Sequence, residues 1–222
     1  MSLPRRPLAV VFDLDGTLID SEALVRDAYF AACADFGIAM SPAQFLTLVG
    51  MHKDANDIAL RAFYGADFPV ERFRETARGF IGERAAPLKP GARALMDALD
   101  ERGAPYALAT SSHRPWVERH FLAHDLSRRF CATITRDDVV NGKPDPEPYL
   151  KASAALGANP SLVLALEDSH AGVRSAHAAG CMTIMIPDLL AADHEMRGKA
   201  LVLQSLLDVA ALLSSAPGAD GT

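Results

Sequence analysis

Cysteine is scarce. Three residues, Cys33, Cys131 and Cys181, occur in 222, and no two stand in a CxxC spacing. That pattern excludes a thiolate zinc site and a disulfide framework, and it reads the three thiols as small core filler. Runs of basic residues are absent from a chain of net charge −6, so nucleic acid is not an expected partner. No stretch approaches the ~18 apolar residues of a membrane span, so no membrane partner is expected either. Arg5-Arg6 ahead of an apolar run imitate a signal peptide, but the run stops at Asp13 and no small-residue cleavage site follows. A soluble, cytoplasmic protein is expected. Internal repeats and low-complexity segments are missing, and no protein partner is evident.

What is present is ample apolar material. Half of the residues are hydrophobic, and the length allows one large domain, or a domain plus a smaller one. The run Leu8-Ala9-Val10-Val11-Phe12 reads as a buried strand of a parallel sheet. It ends in Asp13-Leu14-Asp15-Gly16-Thr17. Two carboxylates at the end of a buried strand are costly without a compensating cation. Strand alternation places Asp13 and Asp15 on one side, and the Asp15 carbonyl can join them in a nest suited to Mg2+. Gly16 lets the chain leave the strand sharply.

Further along, residues 21–36 carry apolar positions at helical spacing: Leu24, Ala28, Ala31, Ala32 and Phe36. Ser41-Pro42 starts a second helix, with Phe45, Leu46 and Val49 as its apolar face. Gly50-Met51-His52-Lys53 interrupts as a loop, and helices follow over 54–64 and 70–84. Pro87-Leu88-Lys89-Pro90-Gly91 punctuates the chain. Beyond it a helix over 91–102 leads into strands at 106–110, 131–135, 162–166, 181–186 and 200–203. Helices over 115–124, 146–156 and 171–179 alternate with them, and the tail 214–222 reads as frayed. The expected fold is therefore α/β: a Rossmann-like parallel-sheet core, residues 1–19 and 87–222, with an inserted all-helical cap at 20–86. The carboxyl edge of such a sheet binds ligands, and cap motion can close a site over Asp13.

Three more polar groups fall at that edge: Thr110-Ser111-Ser112, Lys143 within Gly142-Lys143-Pro144-Asp145-Pro146, and Glu167-Asp168-Ser169. The set suits phosphoryl transfer. Asp13, the Asp15 carbonyl, Asp168 and Glu167 can supply the shell of a Mg2+ ion. Lys143 balances charge on the other side, and the Thr110 hydroxyl holds a phosphoryl oxygen. Asp13 attacks in line, while Asp15 protonates the leaving alcohol and then activates water. Each piece alone also has an ordinary reading. Asp-x-Asp can be a strand-end turn, Thr110-Ser111-Ser112 a helix cap, Lys143 a solvated loop lysine, and Glu167-Asp168 the cap of the helix starting near Ala171. His113, His170 and His177 read as structural or surface residues, and Trp116 as helix packing. The joint pattern is what the ordinary readings do not produce.

Asp13-Leu14-Asp15-Gly16-Thr17, Thr110, Lys143 in Gly-Lys-Pro-Asp-Pro, and Glu167-Asp168 resemble, in order, the four motifs of the haloacid dehalogenase-like (HAD) superfamily. The likeness runs over residues 8–190. The inserted helices resemble the type 1 cap of the β-phosphoglucomutase and phosphoglycolate phosphatase branch. The resemblance implies Mg2+ dependence, an aspartyl-phosphate intermediate and a small phosphorylated metabolite, such as a sugar phosphate, as substrate. Gly16, Lys53, Ser111, Ser112 and Lys143 are the candidate substrate-binding residues. Mutases of the branch carry a cap histidine where this chain has Val25, so phosphohexomutase activity is the alternative rather than the first expectation. Phosphonatases place a lysine in a Gly-x-x-Lys loop, which Gly50–Lys53 matches, but they lack the second acid that Asp15 supplies, as do dehalogenases. Lys53 is expected instead to bind a second anionic group of the substrate. A phosphate-sensing module without catalysis is disfavoured by the resident acid-base Asp15.

Overall fold

The computed structural model describes residues 3–48 and 53–215. The chain divides into two compact units, residues 1–20 with 87–222, and residues 21–86.

The first unit starts with strand β1, Ala9–Phe12, buried along its whole length. The chain then passes through the second unit, whose helices are α1 (Ser21–Asp35), α2 (Pro42–Leu48), α3 (Lys53–Tyr64) and α4 (Val70–Ile81). Aromatic rings hold that unit together. Phe73 is completely buried, with Tyr29 edge-on at 5.3 Å and Phe36 at 5.6 Å, geometry that favours the ring quadrupoles. Two expectations change here. Leu46 is 48% exposed, and Phe45 with Leu48 forms the buried side of α2. The last helix ends at Ile81 rather than near 84, because Gly82 turns the backbone to φ +53. Val49 of the expected apolar face and the loop residues Gly50, Met51 and His52 lie outside the described residues, as does the side chain of Lys53.

Back in the first unit, α5 (Ala92–Glu101), β2 (Tyr106–Ala109), α6 (Arg114–Ala123), β3 (Ala132–Ile134), α7 (Glu147–Ala155), β4 (Val163–Glu167), α8 (His170–Ala178), β5 (Met182–Met185), α9 (His194–Lys199), β6 (Leu201–Val202) and α10 (Leu206–Ser215) follow in turn. The six strands form one parallel sheet in the order β3-β2-β1-β4-β5-β6. This is the Rossmann-like α/β core expected from strand–helix alternation.

Alternation along the central strands separates two kinds of face. Ala9, Val11, Ala107, Ala109, Val163 and Ala165 belong to one cluster with Tyr149 and Ala152 of α7 and Ala176 of α8. Small side chains there let the helices lie close to the sheet. Phe12 and Tyr106 belong to the other alternation, and meet each other at 5.8 Å and Phe130 at 5.9 and 4.9 Å.

Cys33 and Cys181 are buried, as core filler should be, but Cys131 is exposed. It precedes the edge strand β3, where no further strand covers it. Ser214 is not frayed: it is helical, and Arg102 donates to the Leu213 carbonyl (2.9 Å) and to Ser214 Oγ (3.0 Å). Among the described residues, no helix is long and apolar enough to cross a membrane.

Candidate active site

Register decides which side chains meet. Phe12 pairs with Leu166 across β1 and β4, and the Asp13 N–H donates to the Leu166 carbonyl at 2.9 Å. Asp13 and Glu167 therefore continue the same alternation as Val11 and Ala165, toward the face covered by α7 and α8. Both are buried: Asp13 is 6% exposed and Glu167 is 0% exposed.

The Lys143 ammonium bridges them. Its Nζ donates to Asp13 Oδ1 (2.5 Å), Glu167 Oε1 (2.6 Å) and the Ala109 carbonyl (2.8 Å). All three donor directions of the ammonium are satisfied, and its side chain is 4% exposed. The two anions hold its pKa above the ordinary lysine value against the opposing pull of burial. The lysine reaches in from the loop before α7. In that loop the Asp145 carboxylate accepts from the Glu147 N–H at 2.9 Å. Tyr149 of α7 donates its hydroxyl to Glu167 Oε1 at 2.7 Å, and Ser169 Oγ donates to Glu167 Oε2 at 3.1 Å. Ser169, rather than Glu167-Asp168, caps α8 through the Gly172 N–H.

Asp168 completes an acidic group. Asp13, Glu167 and Asp168 each bring one carboxylate oxygen within 4.8 Å of the others. One lysine does not balance three acids in so buried a place. Burial first, then the charges of Glu167 and Asp15, push the Asp13 carboxyl up to about 8, while Lys143 pulls it down. Burial, Asp13 and Glu167 likewise raise Asp168 well above the ordinary range. An oxygen-only donor set with excess negative charge fits a hard divalent cation such as Mg2+.

The turn after β1 is fitted to this group. Gly16 sits at φ +80, and a Cβ there would stand 2.2 Å from Asp168 Oδ2. Any other residue would both strain the backbone and displace that carboxylate. Thr17 Oγ1 lies 3.4 Å from Asp168 Oδ1 as its donor. At Gly172, an added Cβ would meet the Glu167 carboxylate carbon at 1.9 Å. Two glycines are thus required by the acids themselves.

Asp15 behaves otherwise than alternation suggests. β1 ends at Phe12 and the chain turns, so the Asp15 carboxylate does not join the three acids. Its Oδ2 accepts from Ser112 Oγ at 2.6 Å and its Oδ1 from Trp116 Nε1 at 2.9 Å. Thr110, 2% exposed, accepts the Ser112 N–H at 3.0 Å, so one turn carries both the Thr110 hydroxyl and the partner of Asp15. Ser111 is exposed.

Residues 7–180 match the family model for haloacid dehalogenase-like hydrolases. The chain belongs to that family. Hexitol phosphatase B from Escherichia coli is 33% identical over 192 residues, 84% of this chain and 86% of its own length. Among HAD structures, a Thermotoga maritima protein provisionally named beta-phosphoglucomutase superposes with a TM-score of 0.80 at 26% identity, over 94% of this chain and 99% of that one. A CbbY variant from Rhodobacter sphaeroides, in complex with xylulose 1,5-bisphosphate, gives 0.71 at 26% identity over 90% and 95%.

Three residues of this HAD site escaped the sequence reading. Trp116 is not mere helix packing, since its indole N–H is spent on Asp15. Tyr149 is not singled out within the helix expected over 146–156, yet its hydroxyl serves Glu167. Asp188 follows β5 and is joined to Lys89 at 2.8 Å. Its buried Oδ2 has no hydrogen-bond partner among the described residues, and it would lie 3.3 Å from a Cβ at Gly16. Nothing local marked Asp188, because a lone acid after a strand resembles any turn residue.

Proposed function

We propose that this hydrolase is a phosphatase that removes phosphate from a small phosphorylated metabolite of the sugar phosphate class, through an aspartyl-phosphate on Asp13. One observation carries the reading: Lys143 bridges Asp13 and Glu167 inside a buried group of three carboxylates. The sugar phosphate class rests on the relatives, one named as a hexitol phosphatase and one holding a sugar bisphosphate.

Asp13, Asp168, Glu167 and the Asp15 carbonyl would hold Mg2+. That ion would supply charge that favours the ionised Asp13 and neutralises the phosphoryl oxygens. The residues of the chain do the rest. Lys143 holds Asp13 through Oδ1 and fixes the direction of its attack. The Asp13 oxygen forms a bond to phosphorus as the ester P–O bond breaks, and the departing oxygen takes its proton from Asp15. A water then gives a proton to Asp15 and attacks the phosphorus, which releases inorganic phosphate and regenerates the Asp13 carboxylate. Thr110, and with it Gly16 and Ser111, are the residues assigned to the phosphoryl oxygens, while the Ser112 hydroxyl serves Asp15 and the Lys143 ammonium serves Asp13 and Glu167. Positioning and fixed charge provide most of the acceleration.

The test is phosphate release from a panel of sugar and polyol phosphates, with Mg2+ and with chelator. Release that requires Mg2+ and vanishes in the Asp13→Asn variant is expected. Retained turnover in that variant, full activity in chelator, or interconversion of hexose phosphates faster than phosphate release would each overturn the reading.

A further inference from the structure

Asp15 has two partners, and neither is needed to hold a cation. We propose that Trp116 and Ser112 are positioning residues that fix the orientation of the Asp15 carboxylate, each holding one of its two oxygens. The proposal rests on the phosphatase reading for the role of Asp15, and on geometry alone for its partners.

An indole N–H donates and never accepts. Asp15 Oδ1 therefore acts as an acceptor toward Trp116 whether the acid is charged or neutral. Ser112 Oγ donates to the other oxygen, Oδ2, at 2.6 Å. Two donors from different elements, one on each oxygen, hold the carboxylate in one rotamer.

The indole is itself held. Trp116 lies in the first turn of α6, and His120 one turn later brings its ring centroid to 4.4 Å from the indole. His120 is fully buried, and its Nδ1–H donates to the Trp116 carbonyl at 2.8 Å. The carbonyl can only accept, so that nitrogen bears the proton and the imidazole is locked in place. The Arg119 guanidinium stands over the indole at 5.7 Å. Ser112 is tied on its other side, its carbonyl accepting the Arg136 N–H at 2.9 Å. The Asp15 carboxylate is thus held from two elements, the turn after β2 and the first turn of α6.

Trp116→Phe keeps a ring and removes the donor. On an alkyl monoester such as glycerol 2-phosphate, whose leaving alkoxide needs a proton, kcat should fall about 10- to 100-fold, within the range of general acid–base effects. KM should stay within about twofold, since the interaction acts on the transition state. On p-nitrophenyl phosphate, whose leaving group departs unprotonated, the rate of phosphoenzyme formation should be nearly unchanged. Ser112→Ala should show the same split. Trp116 is also the sole tryptophan in the chain, so intrinsic fluorescence reports on this contact without labelling. Asp15→Ala should shift its emission, and Asp13→Asn should not. An unshifted Asp15→Ala spectrum, or equal losses on both substrates in Trp116→Phe and Ser112→Ala, would overturn the proposal. A wild-type protein that releases phosphate from no monoester would refute the phosphatase reading instead; a shifted Asp15→Ala spectrum would then still support the assignment of Asp15's partners.

Discussion

Replacing Lys143 with Met probes the balance of charge on which the site depends. The side chain is similar in length, but the ammonium is lost. Asp13 and Glu167 then face each other and Asp168 with no cation among them. Breaking a buried ion pair by removing one partner costs about 3–5 kcal/mol, a large share of a typical folding stability of about 5–15 kcal/mol. For a chain of this size each kcal/mol moves the melting temperature by about 2–4 °C, so a fall of about 6–20 °C is expected.

The pH dependence distinguishes this cause from lost packing. Burial and its acidic neighbours raise Asp13 from an ordinary 3.8 to about 8. Between those values the folded protein binds a proton that the unfolded chain has released, so stability falls as pH rises through that window. Lys143 is raised above 10.5, so its own charge is constant there and its contribution is lost only at higher pH. Without it, nothing draws the Asp13 carboxyl back down, and the loss with rising pH steepens. Thermal melts of wild type and Lys143→Met at pH 6 and pH 8.5, with and without Mg2+, measure this. The gap between the two proteins should be larger at pH 8.5, and Mg2+ should narrow it. A gap of equal size at both pH values, or none, would refute the electrostatic account.

Other perturbations follow the same geometry. Asp13→Asn should abolish phosphate release yet raise the melting temperature at pH 8 in the absence of metal, because the amide ends the need to ionise or protonate a buried acid; a lower melting temperature would count against the raised Asp13 pKa. Mg2+ should raise the wild-type melting temperature and EDTA should abolish activity, while Ca2+, with its looser and larger coordination, should inhibit; melting curves indifferent to Mg2+ would remove the metal assignment. Gly16→Ala should cost about 1–2 kcal/mol from the left-handed backbone alone, and should weaken metal-dependent turnover by displacing Asp168; urea unfolding and the Mg2+ dependence of kcat check both. Lys53→Ala should raise KM for a substrate with a second anionic group far more than it lowers kcat, and should leave p-nitrophenyl phosphate turnover unchanged.

The parts of the fold that were legible in the sequence are those specified by local pattern. The apolar runs of β1, β2, β4 and β5 are buried residue after residue, and a run of that kind has few alternatives. The terminal helices α9 and α10 were not anticipated. α9 has six residues with Met196 alone buried, too short to show a period. α10 is apolar nearly all round, Leu-Leu-Asp-Val-Ala-Ala-Leu-Leu, so its face is chosen by what it packs against rather than by its own sequence.

At the site, the same distinction separates Asp13 from Trp116. Asp13 and Asp168 stand out in the sequence because each is an expensive residue at the end of an apolar strand, and expense demands a reason, whereas Lys143 stands out only through the joint pattern of motifs. Trp116 cost nothing. An aromatic residue in the first turn of a helix is accounted for by packing alone, which hides its polar edge. Yet an indole N–H withdrawn from water needs a partner, and Trp116 stands four residues beyond Ser112. In this chain the partner is Asp15, 101 residues earlier, and no local rule reaches that far. A half-buried tryptophan beside a motif-bearing turn therefore raises a question sequence alone can ask: which acceptor in the neighbouring motif takes its hydrogen bond. That acceptor here is the carboxylate assigned to move a proton. Hence the pair is worth testing as a unit, by Trp116→Phe and Asp15→Asn singly and together. If the indole acts only through Asp15, the double variant should be no slower on an alkyl monoester than Asp15→Asn alone. Multiplied losses would show that Trp116 contributes by another route.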